Sequence, residues 1–200
     1  MFNQYSPHMK KSMFLFILIS FSAISAGQTT APTEFNFGFE KISNKNSLPD
    51  HWFKWGMEDF VLKNDTIEKH SGSASLLIEP VGTRSQGEFG CVAYFIPAIY
   101  KGSQIELRAF LKLQEVEDGQ IGLMLRIDGA SGGLQFDNLQ QDNINGTVDW
   151  KQYSVTLPLP ENATKIYIGA LLVGSGKLWA DDFQLLIDGV DISKAPLKDK

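Results

Sequence analysis

Two segments of strictly alternating polarity carry side chains that can bind a polar ligand. Arg108 and Phe110 fall on the polar side of the first segment, and Arg126 and Asp128 fall on the polar side of the second. A guanidinium donates several hydrogen bonds, and an aromatic ring can stack on the apolar face of a sugar. We therefore predict a ligand-binding face formed by these four residues. The alternative that stays open is a solvated sheet face with interstrand ion pairs.

Tryptophan side chains offer further stacking surfaces. Trp52 and Trp55 stand between Pro49 and Gly56, which indicates a loop, so we expect both indoles to be exposed and to contact the ligand. Trp150 and Trp179 adjoin alternating segments and are expected to pack in the core or at its rim.

Groups that could catalyse a reaction are scarce. Cys91 lies in an apolar run with no neighbouring base, which predicts a buried and inert thiol. The acidic cluster 115–118 could supply the paired carboxylates of a glycoside hydrolase, but it coincides with a predicted turn, where acidic residues are common. We therefore expect no catalytic residues.

Asp181 occupies an apolar setting in the sequence. It alternates with Trp179, Phe183 and Leu185, so a regular strand would bury its carboxylate on their side. A buried carboxylate is costly unless it is paired or bound to a metal. Asp181 must therefore have a protein donor or a metal ion as its partner.

The elements that must position these residues are β-strands. Runs with a period of two recur between clusters of turn residues, which is typical of a sandwich or barrel. The clearest is 104–113, with Ile105, Leu107 and Leu111 on one face, and 121–127 repeats the pattern after the predicted turn Glu117-Asp118-Gly119. We therefore predict that these two runs form an antiparallel pair. Further strands are predicted at 35–40, 75–79, 89–96, 134–138, 151–157, 166–173 and 178–187.

The ends of the chain predict export and a single domain. Lys10 and Lys11 precede an apolar run from Met13 to Ile24 and the small residues Ser25-Ala26-Gly27. This order is typical of a secretory signal peptide, and the run is too short for a bilayer core, which needs about 20 helical residues. We predict a signal peptide at 1–27, a lead-in at 28–34, one sandwich domain at 35–190 and a polar tail at 191–200. The mature protein is expected in the periplasm or the medium, without membrane insertion.

Net charge limits the kinds of ligand, and cysteine content limits the sources of stability. The chain carries a formal net charge of −5, and loss of Lys10 and Lys11 makes it more negative, which argues against nucleic acid as a ligand. One cysteine allows no internal disulfide, so stability must come from the core or from a bound ion.

Short motifs add a family resemblance that covers roughly residues 35–190. Phe37-Gly38-Phe39-Glu40, the run 70–76 and Trp179-Ala180-Asp181-Asp182-Phe183 resemble the galactose-binding-like jelly rolls used by many carbohydrate-binding modules. The stretch 134–189 is similar to the accessory β-sandwich of some exported bacterial hydrolases, among them erythromycin-esterase-like proteins and tail-processing-type serine peptidases.

This resemblance implies a fold, a cofactor and two kinds of partner. The expected fold is all-β, with two antiparallel sheets packed as a jelly roll. Glu40, Asp181 and Asp182 match positions that contribute oxygens to a structural calcium in those modules. The expected function is an exported, non-catalytic module that binds carbohydrate or another polar ligand. The alternatives are an accessory domain that contacts a partner protein such as a hydrolase and, more weakly, a small jelly-roll glycan hydrolase or lyase.

Export gives a direct test of the predicted signal peptide. Expressed from Met1 in a Gram-negative bacterium, the protein should accumulate outside the cytoplasm in a form about 27 residues shorter. Mass spectrometry of the periplasmic fraction measures the cleavage, and a variant lacking residues 13–24 should stay inside as the control. A protein that keeps residues 1–27 would contradict the prediction.

Overall fold

A computed structural model describes residues 34–44, 48–82 and 87–199, and these residues form an all-β domain. The predicted signal peptide and residues 28–33 of the lead-in lie outside the described residues. The described strands are β1 (Trp52–Lys54), β2 (Phe60–Asp65), β3 (Ser75–Pro80), β4 (Phe89–Pro97), β5 (Gln104–Gly129), β6 (Gly132–Asp137), β7 (Ile144–Pro158), β8 (Lys165–Val173), β9 (Lys177–Ile187) and β10 (Val190–Asp191). One 3-10 turn, Gln140–Asp142, separates β6 from β7.

The strands form two antiparallel layers that share β5. The first part of β5, 104–114, pairs with β7 and β9, and β9 continues through β3 to β2. We call this layer sheet one. The second part, 120–129, pairs with β8 and β6, and β8 continues through β4 to β1. This layer is sheet two. The predicted two-sheet antiparallel jelly-roll sandwich is confirmed.

The core lies between the two sheets. Leu107 and Leu111 from the first part of β5 and Leu123 and Leu125 from the second part are fully buried in one apolar cluster. The alternation predicted for both runs is therefore confirmed. The polar residues between them face outward from their own sheet, as a pleated strand requires.

The run Glu117-Asp118-Gly119 is a bend within β5, so the prediction of a hairpin turn here is wrong. β5 continues through it and leaves sheet one for sheet two, and Glu115 adopts a left-handed conformation with a φ of 54°. Acidic residues and glycine suit a bulge of this kind as well as a turn, which is why the pattern was ambiguous. The two runs are successive halves of one strand and do not pair with each other.

Glycine makes this bend possible because the turn between β8 and β9 packs directly against it. A Cβ atom at Gly119 would overlap the carbonyl oxygen of Val173. Gly176 has a φ of 89°, and a Cβ atom there would lie 2.5 Å from the carbonyl oxygen of Glu115. The bend and the 174–176 turn therefore fit only as backbone against backbone.

Other parts of the chain also depart from the sequence prediction. Residues 35–40 form a turn with no strand, and Phe39 has a φ of 59°. The short strands β1 and β2 carried too little alternation to be predicted. The packed part of the domain extends past the boundary predicted at residue 190, because Ile192 and Ala195 are buried and Lys198 N–H donates to the carbonyl of Ile99. Within the described ranges, no helix is long and apolar enough to cross a membrane.

The close contact at the bend predicts a steric effect on stability. Gly119→Ala should lower the free energy of unfolding by about 1–3 kcal/mol or more, because the added methyl group meets backbone that cannot move aside. Urea denaturation measures the loss. Gly133→Ala is the matched control: its Cβ would make only ordinary contacts, the nearest 3.5 Å from Asp128, so its effect should stay within about 0.5 kcal/mol. Equal stability of the two variants would contradict this account of the bend.

Candidate functional site

The four residues predicted as one ligand-binding face lie on two different faces. Arg108 and Phe110 belong to the sheet-one part of β5, whereas Arg126 and Asp128 belong to the sheet-two part. Outward from one sheet of a sandwich is the opposite direction from outward from the other. The prediction of a single face is therefore wrong, and the reason is the change of sheet within β5.

A row of large side chains crosses the outer face of sheet two. Phe95 pairs with Tyr167, Tyr167 with Arg126, and Arg126 with Phe136, so these four residues stand side by side on β4, β8, β5 and β6. Neighbouring side chains in such a row lie within contact distance of each other. Phe136 is 56% exposed and Phe95 is 43% exposed, so the row presents aromatic surface to solvent.

Small residues beside this row leave space above the sheet. Ala93 pairs with Gly169, which in turn pairs with Met124. A side chain at Gly169 would overlap the carbonyl oxygen of Val92, so this position has to stay open. Trp55, which follows β1, packs against the small cluster formed by Cys91, Ala93, Met124 and Leu171.

Trp55 connects the aromatic row to the open part of the face. Its ring lies 4.9 Å from that of Tyr167 at an interplanar angle of 66°, an edge-to-face arrangement. The guanidinium carbon of Arg126 lies 5.6 Å from the Trp55 ring centre, within the range of a cation–π contact. The indole is only partly buried, so part of its surface is exposed to solvent. Among the predicted ligand contacts, the structure brings Trp55 and Arg126 together.

A cavity of about 250 Å³ opens beside these residues. Nine described side chains line it: Trp55, Phe89, Cys91, Met124, Arg126, Phe136, Asn138, Leu171 and Val173. A second cavity of about 280 Å³, lined by residues 133–135, shares Arg126 and Phe136 with the first. The two cavities adjoin at Arg126 and Phe136, and we refer to them together as the sheet-two groove.

Asp128 holds Arg126 in place. Nε and Nη2 of Arg126 donate to the two carboxylate oxygens of Asp128, at 2.8 and 3.2 Å. This hydrogen-bonded pair raises the pKa of the guanidinium above its usual value. A bidentate pair fixes the plane of the guanidinium and leaves the pair without net charge. Asp128 is therefore placed to position Arg126.

The outer face of sheet one is covered by the loop that follows β2. The His70 ring stacks on Phe110 with centroids 3.6 Å apart and planes 12° apart. Glu68 accepts hydrogen bonds from Trp150 Nε1, at 3.2 Å, and from Lys112 Nζ, at 3.0 Å. Phe110 therefore lies under His70, which takes the surface that a ligand would need. Arg108 makes a bidentate pair with Glu106, at 2.6 and 2.8 Å. This ion pair lies within one strand, whereas the open alternative was ion pairs between strands.

A bulge at Asp182 changes the face on which Asp181 lies. Asp182 has a φ of 50°, and the register between β5 and β9 shifts there. A one-residue bulge reverses the alternation of everything after it. Trp179 and Asp181 consequently face outward, while Phe183 and Leu185 face the core. The sequence correctly predicted that Asp181 is buried, at 1% exposure, but the face shared with Phe183 and Leu185 was wrong.

Asp181 is buried under the same loop, whose backbone supplies its partners. The carboxylate accepts hydrogen bonds from the backbone N–H groups of His70, Ser71 and Asp182, at 2.9, 3.1 and 2.8 Å. Burial raises the pKa of Asp181 to about 6, and the three N–H donors oppose that rise. The hydrogen bonds from His70 and Ser71 tie the loop to β9.

The other two predicted calcium ligands also bind this loop. Asp182 accepts from the Ser71 hydroxyl at 2.8 Å and lies 2.6 Å from Nδ1 of His70, and Glu40 accepts from the backbone N–H and the hydroxyl of Ser73. All three carboxylates therefore face donors, whereas a calcium cage needs them to converge on one point. Among the described residues, no three acidic, histidine or cysteine side chains are placed to hold a metal ion. This arrangement does not fit a calcium cage made of the three carboxylates.

The remaining tryptophans take structural positions. Trp52 lies in β1 and is 5% exposed, and its Nε1 donates to the carbonyl of Asn36 at 2.7 Å, so the prediction of an exposed loop residue is wrong here. It packs between Phe39 and Phe183. Trp179 is buried with its Nε1 bonded to Asp65, and Trp150 packs at the rim, as predicted for both.

Sequence reasoning missed several residues of the groove. Tyr167, Phe136 and Asn138 lie beside Arg126 only because of the strand order β8-β5-β6. Alternation showed that Tyr167 faces away from Ile166 and Ile168, but it could not show which strand is its neighbour. The acidic cluster 115–118, a possible catalytic pair in the sequence, lies on the bend and is not among the described residues that line the groove.

The loop contacts predict the effect of removing Asp181. Asp181→Ala should lower the free energy of unfolding by about 1–3 kcal/mol, because three N–H groups lose their acceptor. Denaturant unfolding measures the loss, and Asp142→Ala, an exposed acidic residue, should change stability by less than about 0.5 kcal/mol. Since the carboxylates already have donors, we expect the same melting temperature in calcium and in chelator. A lower melting temperature in chelator would instead reveal a bound metal.

No family model matches the sequence. A curated relative, described as an uncharacterized HTH-type transcriptional regulator YbfP of Bacillus subtilis, is 33% identical over 124 residues, which are 61% of this chain and 42% of the relative. The chain thus spans less than half of that relative's length.

Similar solved structures include carbohydrate-binding modules. TmCBM61, solved with β-1,4-galactotriose, matches with a TM-score of 0.51 at 12% identity, over 79% of this chain and 99% of the module. The CBM22-1 xylan-binding domain of Paenibacillus barcinonensis Xyn10C matches with a TM-score of 0.50 at 12% identity, over 76% and 91%. An enzymatically active domain of the bacteriophage CBA120 tailspike protein 4 matches with a TM-score of 0.54 at 14% identity, over 78% of this chain but 21% of that one. The chain therefore has the jelly-roll fold of these carbohydrate-binding modules.

Proposed function

We propose that this protein is an exported, non-catalytic carbohydrate-binding module whose ligand lies in the sheet-two groove. The observation that carries the proposal is the side-by-side placement of Tyr167, Arg126 and Phe136, with Trp55 against them, along an open cavity. Aromatic faces and a fixed guanidinium are the two kinds of contact that a sugar needs.

The fold supports this proposal. The modules it resembles are described by their galactotriose and xylan ligands, and they use a domain of the same architecture and nearly the same extent. Function belongs to a site, however, so the groove and its side chains carry the argument. The aromatic surface is already ordered by its mutual contacts, which lowers the entropy lost when a ligand binds.

Sheet one offers a poorer site for the same ligand. Its one large aromatic side chain among the predicted contacts, Phe110, is covered by His70, and its arginine, Arg108, is paired with Glu106. Binding there would require the loop 68–73 to leave the three carboxylates that hold it. We therefore assign Arg126 and Trp55 as ligand contacts and Asp128 as a positioning residue.

A second candidate is a partner protein bound to the same face. Phe53, Phe95 and Phe136 are each more than a third exposed, and exposed aromatic residues are frequent at the centre of protein interfaces. The accessory domains of exported hydrolases, which the sequence resembles, would use such a face to contact their enzyme. A glycan array on the purified domain separates the two candidates, because only a carbohydrate-binding module retains defined glycans without another protein.

Two matched arginine variants test the location of the site. Arg126 and Arg108 each form a bidentate pair with a carboxylate two residues away on β5, and both side chains are 37% exposed. With a glycan that the array identifies, Arg126→Ala should weaken binding more than tenfold, or about 1.4 kcal/mol, in isothermal titration calorimetry. Arg108→Ala should bind like the unmodified protein, and both variants should keep their melting temperature within a few degrees. Loss of binding in Arg108→Ala alone would place the ligand on sheet one.

Trp55 gives an independent test on the same ligand. Trp55→Ala should reduce the affinity at least tenfold, because the stacking surface is lost. Trp150→Ala, which removes an indole from the covered face of sheet one, is the control and should bind normally. If Trp55→Ala keeps full affinity for every glycan that binds, the sheet-two groove is not the site.

A further inference from the structure

The first cavity, which Trp55 and Arg126 line, has an apolar floor that limits the kinds of ligand it can bind. Cys91, Met124 and Leu171 form the floor, and each is less than a tenth exposed. The Cys91 thiol is directed at the carbonyl of Val92, at 3.5 Å, and burial raises its pKa to about 12, so it stays uncharged. Phe89 and Val173 extend the same apolar surface at one end.

Polar groups lie at the rim of this cavity. Among its described lining residues, strong hydrogen-bonding side chains belong to Arg126, Asn138 and the indole of Trp55. A sugar that carries only hydroxyl groups would have to bury some of them on the floor without a partner, which costs affinity. A methyl group placed there gains from leaving water.

The charge of the groove favours a neutral substituent. Asp128 neutralises Arg126 through two hydrogen bonds, so the guanidinium does not present an unpaired charge to a carboxylate ligand. The amide of an N-acetyl group is neutral, and it combines a methyl group with one donor and one acceptor. Its methyl group suits the floor, and its amide can reach the polar rim.

The second cavity shows how the ligand continues. It shares Arg126 and Phe136 with the first, and its other lining residues are Gly133, Leu134 and Gln135 on β6. Phe136 lines both cavities and is more than half exposed, so it offers a surface on which a sugar can stack. A chain of at least two sugar units would therefore occupy both.

From this geometry we infer that the sheet-two groove binds an N-acetylated oligosaccharide of two or more units, with an acetamido methyl group on the floor formed by Cys91, Met124 and Leu171. The inference rests on the proposed function and narrows it to a class of sugar. It also distinguishes this groove from one built for xylan or galactan, whose sugars bear hydroxyl groups at the corresponding ring position.

Two trisaccharides that differ in one substituent test the inference. Chitotriose and cellotriose share a β-1,4-linked glucose backbone, and only chitotriose carries an acetamido group in place of a hydroxyl group on each ring. In isothermal titration calorimetry, chitotriose should bind at least tenfold more tightly than cellotriose. An apolar pocket favours a ligand with a methyl group over one with a hydroxyl group at the same place by roughly 10- to 100-fold. Chitobiose should bind at least tenfold more tightly than N-acetylglucosamine, because it reaches the second cavity.

Variants of the floor provide the matched control. Met124→Gln places an amide on the floor with little change in length, and it should remove most of the preference for chitotriose over cellotriose. Met124→Leu keeps the floor apolar at a similar volume and should keep the preference, which separates chemistry from damage to the fold.

The outcomes separate this inference from the proposed function. If cellotriose binds as tightly as chitotriose, or if another glycan binds and chitotriose does not, the N-acetyl inference is overturned while the module assignment stands. If no glycan binds at all, both fail. A preference for chitotriose that survives Met124→Gln would also overturn the floor as its cause.

Discussion

The structure depends on one long strand that belongs to both sheets. β5 runs from Gln104 to Gly129, bends at 114–119, and pairs with β9 before the bend and with β8 after it. The bend is held against the 174–176 turn by contacts between backbone atoms that leave no room for a Cβ atom at Gly119. Because both halves keep their apolar side toward the core, this bend closes the sandwich.

The same bend gives the molecule two outer faces with different chemistry. On sheet one, Glu40, Asp181 and Asp182 hold a loop over the sheet, and His70 covers Phe110. The polar groups of that face are already hydrogen-bonded to other groups of the protein. On sheet two, the small residues Ala93 and Gly169 leave space above the sheet, and the aromatic row borders this space. A ligand needs side chains that are not already bonded within the protein, which is why we propose that it binds on sheet two.

The alternation of apolar and polar residues correctly predicted the fold class and the residues that face the core in regular strands. The core rows of 104–113 and 121–127 and the all-β class follow from side-chain period alone. Features that interrupt the period were read wrongly: the bend at Gly119 resembled a turn, and the bulge at Asp182 moved Phe183 and Leu185 to the opposite face from Asp181. A bulge depends on backbone conformation at one residue, which the side-chain pattern does not encode.

The candidate site was only partly visible in the sequence for a different reason. Arg126, Asp128 and Trp55 were identified by residue type, but Tyr167 and Phe136 become neighbours of Arg126 through pairing between strands that are distant in the chain. Trp52 and Trp55 looked equivalent in sequence. Yet β1 directs Trp52 into the core, whereas Trp55 packs on the outer face. Residue type therefore suggested which side chains could contact a ligand, and pairing between distant strands decided which of them lie together.

The central claim, that ligand binds on sheet two and not on sheet one, can be measured through the four tryptophan side chains. Each indole N–H gives one signal in a ¹⁵N-edited NMR spectrum, and three of them donate within the protein, Trp52 to Asn36, Trp150 to Glu68 and Trp179 to Asp65. On titration with a glycan that the domain retains, the account predicts a large shift of the Trp55 signal and little change in the other three. A shift of the Trp150 signal with Trp55 unmoved would place the ligand on the loop-covered face and contradict the account.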